Sequence, residues 1–504
     1  MVQYLKRLPV ILLILIIGYS CSKKPEIQQP VLVKIGDRVI TTNEFIQRSE
    51  YTIRPVWCRG DDYVQRKVVL NSLIAEKLLA IEGSPSAGEW INNKPMQNYL
   101  QGRKEQEMRQ LHYSKLALEK VEINPDQENL VRAMSERTYT VQILPINNDE
   151  LAGRISKDLQ SGITNFDALV EEFEAATGKK LESEDIDFQT PVNDILYKQL
   201  FFNKLDKDQV VGPVHGDRNQ NFLFRVNGWT RHPVISDIES AQRIQDVKEK
   251  ITEIQARDIY ESWIHDLMRG KKLELNEPIF RKVTEAVGQD YFRTPEERKK
   301  IFKQKLWNEN DKEPAMVIDD IETQMKEIAD ETIFTFEGEN WTVRQFDDYL
   351  EIHPLVFRNR KMPKGEFAME LKNAIADLLR DKKITEDAYA KKLDQDPMVV
   401  HRMTMWKDNL IAMYERNKIV ERASADSLTD MQTVEQLLNP VIEELQAKYS
   451  DQIEINTDIF EQLKLTSIDM FVVQQNVSFP VIVPQFPLLT TLNKLNYGQM
   501  MAKE

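Results

Sequence analysis

The chain has 504 residues, of which 41% are hydrophobic and 29% are charged, and its formal net charge is −14. A single hydrophobic core stops growing near about 250 residues, so this length predicts several domains. The mixed composition excludes a largely disordered chain and a fibrous repeat. The acidic balance argues against nucleic acid as a partner, because nucleic-acid-binding proteins neutralise phosphates with basic residues.

The N-terminus has the pattern of an export signal. Lys6 and Arg7 precede an apolar run over residues 8–17, and Cys21 follows shortly after that run. The run is shorter than the ~20 apolar residues that a membrane-spanning helix needs. We therefore predict a signal peptide over residues 1–20.

Cys21 resembles the lipid-modified cysteine of a bacterial lipobox, although Gly18 stands where lipoboxes usually carry Leu. The resemblance implies that Cys21 becomes the acylated N-terminus of the mature chain and that residues 21–30 form a tether. The lipid would then anchor the chain to the cell envelope in the periplasm, with the outer membrane favoured. Ordinary cleavage and an uncleaved anchor remain the alternatives.

A hairpin followed by a helix is predicted twice. Residues 31–40 alternate between apolar and polar side chains around a Gly-Asp turn, which predicts two short strands. Thr41 and Glu44 then fit the capping box that begins many helices, and Phe45 starts an apolar stripe. The same pattern returns 301 positions later, at Thr342, Gln345 and Phe346. We therefore predict two related helical modules.

Each module also has a predicted closing segment. Residues 273–280 and 453–460 both read as a short strand, an Asn, and a helix start that contains a Phe. The stretch from Phe45 to Phe280 is about twice as long as the stretch from Phe346 to Phe460. The first module is therefore predicted to contain an inserted small domain.

These patterns predict an α+β protein whose helical modules are interrupted once by an α/β domain. The predicted divisions are the signal peptide 1–20, the tether 21–30, the first module 31–135, the inserted domain 136–232, a helix that completes the first module 233–290, a linker 291–330, the second module 331–425, and a closing segment with tail 426–504.

The inserted domain resembles a parvulin-type prolyl isomerase. Residues 140–145 are similar to the first strand of that family, residues 152–170 to its helical region, residues 210–214 to its Val-x-x-Pro-Val turn, and residues 222–226 to its last strand. The flanking segments 31–135 and 236–285 resemble the chaperone module of SurA, PrsA and PpiD. The resemblance implies a folding factor that binds unfolded or nascent envelope proteins, including outer-membrane proteins.

The family's two histidine positions are occupied by Gln142 and Phe222, so no catalytic residue is assigned with this resemblance. The resemblance implies a peptide-binding groove, whose predicted residues are Leu144, Phe166, Phe202, Phe222 and Phe224. A groove that keeps apolar walls and loses its imidazoles is expected to bind Pro-containing segments while catalysing their isomerisation poorly.

Other chemistry is not indicated by the sequence. The six histidines are scattered without metal-ligand spacing, and neither a P-loop nor a Gly-x-Gly-x-x-Gly motif occurs, so we predict no metal and no cofactor. Cys58 is predicted to be a buried apolar residue. Residues 471–487 are apolar and contain prolines, which predicts extended segments packed either on the body of the protein or at an interface.

Three functions remain open from the sequence. The first is a chaperone that binds unfolded envelope proteins independently of isomerisation, with a monomer favoured. The second is an active peptidyl-prolyl isomerase. The third is a structural subunit of an envelope complex, which would copurify with one partner in a fixed ratio.

Overall fold

A computed structural model of the chain describes residues 30–501, apart from residues 147, 216–220, 295, 297–319, 360, 424–427, 466–469 and 471–479. The predicted signal peptide, Cys21 and nearly all of the predicted tether lie outside the described residues. The greater part of the predicted linker and the first part of the apolar stretch 471–487 also lie outside them.

The described part of the chain is mostly helical and contains small sheets, which is compatible with the α+β class. The strands are β1 Val31–Ile35, β2 Arg38–Thr41, β3 Arg137–Ile146, β4 Ser183–Ile186, β5 Val210–His215, β6 Asn221–Arg231, β7 Leu273–Leu275, β8 Thr332–Phe336, β9 Glu339–Thr342, β10 Ile453–Ile455 and β11 Gln499–Met500.

The helices follow the same chain order. They are α1 Thr42–Glu50, α2 Tyr63–Ile91, α3 Lys94–Leu116, α4 Pro125–Met134, α5 Asp149–Gln160, α6 Phe166–Thr177, α7 Asp194–Phe201, α8 Asp237–Met268, α9 Glu277–Tyr291, α10 Asp320–Glu327, α11 Val343–Leu350, α12 Phe367–Ala390, α13 Pro397–Arg422, α14 Asp430–Thr433, α15 Asn439–Lys448 and α16 Thr457–Gln462.

The chain divides into two compact units. The first unit is formed by residues 1–111 and 272–504, and the second by residues 112–271. The second unit is longer than the predicted inserted domain, residues 136–232. The flanking helices α4 and α8 account for the difference, because their apolar residues belong to the same core as the sheet of the second unit.

In the first unit, each opening hairpin pairs with the closing strand of the other copy. Strand β1 of the first hairpin pairs antiparallel with β10, so that Val33 lies opposite Ile455. Strand β8 of the second hairpin pairs antiparallel with β7, so that Phe334 lies opposite Leu275. The expectation that residues 233–290 complete the first module and that residues 426–504 close the second is therefore wrong. The two closing segments have similar sequences, so local pattern alone cannot assign them to a hairpin.

Both hairpins begin their helices as the sequence predicts, with one difference. Thr342 and Gln345 form a complete capping box at the start of α11. At the start of α1 the Thr41 hydroxyl accepts a hydrogen bond from the Glu44 amide at 3.0 Å. The Glu44 carboxylate does not accept the second bond of the box, from the Thr41 amide. The capping box predicted for the first copy is therefore half formed.

Helix α2 is the centre of the first unit. Every residue from position 68 to position 80 is buried, which is typical of a helix that is surrounded on all sides. Helix α13 packs against it, with Ile411 joining Ala80, Ala87 and Ile91 in one cluster. The sequence predicts α13 as part of the second module, so helices of both predicted modules meet in this core. Cys58 is fully buried in the same core, as predicted.

The burial of α2 encloses charged residues, and those residues are paired. Arg48 donates to both carboxylate oxygens of Glu76, with Nη1 to Oε1 at 2.8 Å and Nη2 to Oε2 at 2.7 Å. The side chains of both residues are 0% exposed. Asn409 of α13 donates to Glu76 Oε2 at 2.6 Å. Desolvating a charge is costly, so each of these contacts offsets part of that cost.

A second buried pair lies beside the first. Lys77 Nζ lies 3.1 Å from Glu44 Oε1 and 3.4 Å from Asp408 Oδ2. His401 Nε2 lies 3.0 Å from Glu44 Oε2. Burial by itself would raise the pKa of Glu44, but Lys77 and His401 outweigh burial and lower the pKa to about 2. Glu44 is therefore held as a carboxylate inside the protein.

The second unit contains a four-stranded antiparallel sheet in the order β4-β3-β6-β5. Helices α5 and α6 supply apolar residues to the core on one face of this sheet. Helices α4, α7 and α8 supply them on the other face. Both faces of the sheet are therefore covered, and this arrangement fixes which side chains reach solvent.

Candidate functional site

The register of two central strands decides where the predicted site residues lie. Strands β3 and β6 pair antiparallel, with Gln142 opposite Arg225 and Pro145 opposite Phe222. Side chains alternate between the two faces along a strand, and directly opposite residues share a face. Gln142 therefore shares a face with Arg225, whereas Phe222 lies on the other face. The structure does not bring Gln142 and Phe222 together, and the expectation that they replace two imidazoles of one pocket is wrong.

Gln142 takes part in a chain of polar contacts on its own face of the sheet, with one hydrogen bond at each end of its amide. Its Nε2 donates to the Leu181 carbonyl at 2.8 Å, and its Oε1 accepts from Arg225 Nη2 at 3.0 Å. Arg225 Nη1 donates in turn to Asp167 Oδ1 at 2.6 Å, and the guanidinium lies 4.8 Å from the centre of the Phe166 ring. With both ends of its amide in use, Gln142 ties the segment before β4 to the sheet.

The five predicted peptide-binding residues fall into two separate clusters. Phe222 and Phe224 belong to the core beneath α7, and Phe202 packs against that core. Leu144 and Phe166 belong to the core beneath α5 and α6. Phe202 is the one residue of the five that is partly exposed, since the other four are buried. The predicted set therefore does not form one groove, because strand alternation sends neighbouring side chains to opposite faces.

Three of the partly buried residues that pack against the core containing Phe222 are Phe202, Val211 and Val214, and we call them the apolar rim. Val211 and Val214 belong to β5, which is an edge strand of the sheet. The Val-x-x-Pro-Val segment could have indicated this rim, because it combines apolar side chains with an expected edge position. An edge strand beside apolar side chains is able to receive an extended peptide.

Sequence reasoning missed a polar group at the same end of the sheet. His215 Nδ1 lies 2.8 Å from Asn221 Oδ1, and Asn221 Nδ2 donates to Asp149 Oδ1 at 2.8 Å. Asn221 is buried, whereas the His215 side chain is 73% exposed. Asn221 lies on the same face of the sheet as Gln142, and Phe222 lies on the other face. The His215 imidazole therefore lies at the edge of the sheet face opposite to the apolar rim. No sequence motif indicates the group, because strand pairing alone brings its members together.

A separate recess lies in the first unit, between the end of α9 and the start of α12. Its volume is about 660 Å³, and its lining includes Gly288, Phe292, Lys364 and Phe367. The rings of Phe292 and Phe367 are 5.5 Å apart. A Cβ atom at Gly288 would lie 3.2 Å from the Phe367 ring, so glycine permits this close approach. The recess combines aromatic surface with two cationic side chains, Arg293 and Lys364, and with the carboxylate of Glu285.

Comparison with known proteins gives weak similarity. No protein-family model matches the sequence, and no curated protein matches it. Two PrsA proteins are structural neighbours. One is the peptidylprolyl isomerase PrsA from Bacillus cereus, with 13% identity over 44% of this chain and 88% of that one, at a TM-score of 0.19. The other is the foldase protein PrsA from Streptococcus pneumoniae, with 16% identity over 46% and 93%, at a TM-score of 0.18.

These TM-scores are too low to support an argument about fold or function. Within the described residues, no helix has the length and apolar character needed to cross a bilayer. The same part of the chain contains no cluster of His, Cys, Asp and Glu suited to a metal ion.

Proposed function

We propose that this protein is a folding factor of the bacterial cell envelope. It binds unfolded exported proteins, including outer-membrane proteins, and its second unit handles peptides with weak or no prolyl isomerase activity. The observation that carries the proposal is the arrangement at the two expected histidine positions. Gln142 has both ends of its amide engaged, and Phe222 is buried on the other face of the sheet.

The chemistry of prolyl isomerisation explains why this arrangement favours binding over catalysis. Rotation about the partly double C–N bond crosses a barrier of roughly 18–20 kcal/mol. A catalyst lowers it by placing free polar groups against the twisted bond in a water-excluded site. The Gln142 amide is held by bonds to the Leu181 carbonyl and to Arg225 and lies on the other face of the sheet from the apolar rim, whereas the rim keeps surface that can bind an apolar segment.

Localisation and partners follow from the sequence in this proposal. The export signal and Cys21 would place the mature chain in the periplasm, attached by lipid to the envelope and most simply to the outer membrane. The net charge of −14 disfavours nucleic acid as a partner. The proposal requires neither ATP nor another cofactor, and it takes the protein to be a monomer.

A paired assay on the purified mature chain tests the proposal. We expect it to suppress the aggregation of an unfolded outer-membrane protein, followed by light scattering. In the same buffer we expect no measurable acceleration of a proline-limited refolding reaction. Acceleration that disappears in a Gln142→Ala or His215→Ala variant would instead establish an active isomerase.

Matched variants locate the binding surface. Phe202→Ser removes the largest member of the apolar rim, so we expect weaker suppression of aggregation. Ile163→Ser is the control, because Ile163 is an apolar residue of the same unit that is 75% exposed and lies outside the rim. Equal effects of the two changes, or suppression that survives Phe202→Ser unchanged, would contradict the role of the rim.

A further inference from the structure

An extended segment near the C-terminus lies in a groove of the first unit. Residues 480–496 form neither helix nor strand. Val483, Phe486 and Leu489 are buried, with exposed fractions of 9%, 6% and 0%, whereas Gln485 is exposed. This spacing of three residues, together with the prolines at 480, 484 and 487, is typical of a polyproline II helix. We call residues 480–492 the C-terminal strap.

The groove holds the strap and the residues just after it largely through main-chain carbonyls. Arg48 Nη2 donates to the Gln485 carbonyl at 2.9 Å. Asn71 Nδ2 donates to the carbonyls of Leu492 at 2.8 Å and Lys494 at 3.1 Å. Every residue type carries a main-chain carbonyl, so these donors would accept other extended segments equally well. These carbonyl contacts favour extended conformation over any particular sequence, and Asn439 adds side-chain bonds to Thr490 and Thr491 at 2.7 and 2.9 Å.

The walls of the groove are apolar and adaptable. Val483 packs with Met405 and Trp406 of α13, and Tyr51 and Tyr99 border the same cluster. Phe486 and Leu489 join the main core of the first unit. Met side chains adapt to different apolar partners, and aromatic rings provide large contact areas. These walls suit segments that carry an apolar side chain at every third position.

We propose that this groove is a client-binding site for extended, proline-containing apolar segments of unfolded proteins, and that the C-terminal strap is its internal occupant. This inference rests on the proposed function and adds a second site to the apolar rim. A tethered occupant competes at an effective concentration of about millimolar, so isolated weak segments are excluded. An unfolded client displaces the strap when the client's segment binds the groove more favourably than the strap does. It also displaces the strap when another part of the client is bound at the apolar rim.

The test uses the full mature chain and a fluorescein-labelled peptide with the sequence of residues 480–492. Phe486→Ala combined with Leu489→Ala weakens the strap without changing the groove. We expect this variant to bind the peptide at least about tenfold more tightly than the wild type, which corresponds to 1.4 kcal/mol. Gln485→Ala is the matched control, because it alters an exposed side chain and keeps the carbonyl, and it is expected to bind like the wild type.

Several outcomes overturn the inference. One is a folded double variant that binds the peptide no better than the wild type. Another is equal binding of a control peptide in which Ser replaces the residues equivalent to Phe486 and Leu489. If the double variant fails to fold, the wild type decides, using the peptide with a benzophenone at the position of Phe486. Cross-links to α2 or α13 support the inference, and their absence at a peptide concentration well above the strap's effective concentration of about one millimolar overturns it.

Failure of the inference can be separated from failure of the proposed function. A protein that suppresses aggregation but does not bind the strap peptide loses the groove and keeps the folding role. In the opposite case the Phe486→Ala, Leu489→Ala variant binds the strap peptide, but the protein does not suppress aggregation of an unfolded outer-membrane protein. The groove is then supported and the folding role is not. Light scattering and fluorescence anisotropy on the same preparations distinguish the two results.

Discussion

The two opening hairpins start from the same local pattern and use it differently. In the second copy Gln345 is exposed, and its Oε1 accepts from the Thr342 amide at 2.9 Å, which completes the capping box. In the first copy Glu44 is 4% exposed, and its carboxylate faces Lys77 and His401 instead. Thr41 and Thr342 each cap the start of their helix. The partners of the residue three positions later, Glu44 or Gln345, depend on what packs around it.

This difference teaches that a repeat keeps its short-range physics and changes its long-range partners. Helix α1 lies against the fully buried part of α2, where charged residues are desolvated and must be paired. Helix α11 carries its polar residues Arg344 and Gln345 in contact with solvent, where ion pairs are screened. Substitutions in the two copies should therefore have very different consequences.

The largest expected effect comes from breaking the buried pair in the first copy. Arg48→Met leaves Glu76 buried without its guanidinium, so we expect the free energy of unfolding to fall by about 3–5 kcal/mol. Urea denaturation followed by circular dichroism measures this change. The double change Arg48→Met with Glu76→Leu should recover much of the loss, because no unpaired charge then remains.

The matched control is Arg344→Met in α11. Arg344 pairs with Asp330 at 3.0 Å, but their side chains are 60% and 86% exposed. We expect a change of about 0–1 kcal/mol. If Arg48→Met and Arg344→Met destabilise the protein equally, burial is not what separates the two copies.

The next effect is a dependence on pH that belongs to Glu44. Its folded-state pKa is about 2, below the ordinary value of 4.5, so its contribution to stability is present above pH 4.5 and is lost as the pH falls toward 2. The shift corresponds to about 3 kcal/mol. Glu44→Gln should therefore flatten the fall in stability between pH 4.5 and 2, measured by urea denaturation at each pH.

The neighbouring carboxylate of Asp408, which also lies beside Lys77, and a reference variant sharpen that experiment. Burial of Asp408 outweighs Lys77 and Arg38 and raises its pKa, so Asp408 opposes the loss of stability at low pH. The reference is Glu339→Gln, which removes an exposed carboxylate from β9 of the second hairpin. A pH profile that Glu44→Gln leaves unchanged would show that Lys77 and His401 do not hold the carboxylate in its charged form.

The helix caps should respond alike in both copies. Thr41→Ala and Thr342→Ala each remove a hydroxyl that accepts from an amide of the first turn, at 3.0 Å and 3.2 Å. We expect each change to lower the free energy of unfolding by about 1 kcal/mol. A large difference between the two variants would mean that burial also controls the cap, and the proposed separation of local from long-range effects would fail.

The smallest effect is expected from the hydrogen bond that the Thr342 amide donates to the Gln345 side chain in the second capping box. Gln345→Ala removes the acceptor of the Thr342 amide at an exposed site, so we expect a loss of about 0.5 kcal/mol. Thermal unfolding of this variant, compared with Val343→Ala at a buried position of the same helix turn, measures the contrast. A loss from Gln345→Ala that equals the loss from Val343→Ala would contradict the exposed setting of this bond.

The sequence by itself determined the features that depend on short-range physics. Alternation of side chains and a turn glycine set both hairpins, and Gly36 and Gly338 adopt the positive φ values of 58° and 83° that such turns require. Thr41 and Thr342 set the helix starts. The burial of Cys58 and the presence of a helix within residues 233–290 were also readable from residues close together in the chain.

Only the tertiary structure decided which closing strand pairs with which hairpin, because β7 and β10 carry similar patterns and either would satisfy the hydrogen bonds of β1. It also decided the faces of Gln142 and Phe222. Strand side chains have a period of two residues, so the β3–β6 register sends these two positions to opposite faces. Pairing and register are long-range properties, and the energy that selects them is the burial of whole faces rather than the preference of single residues.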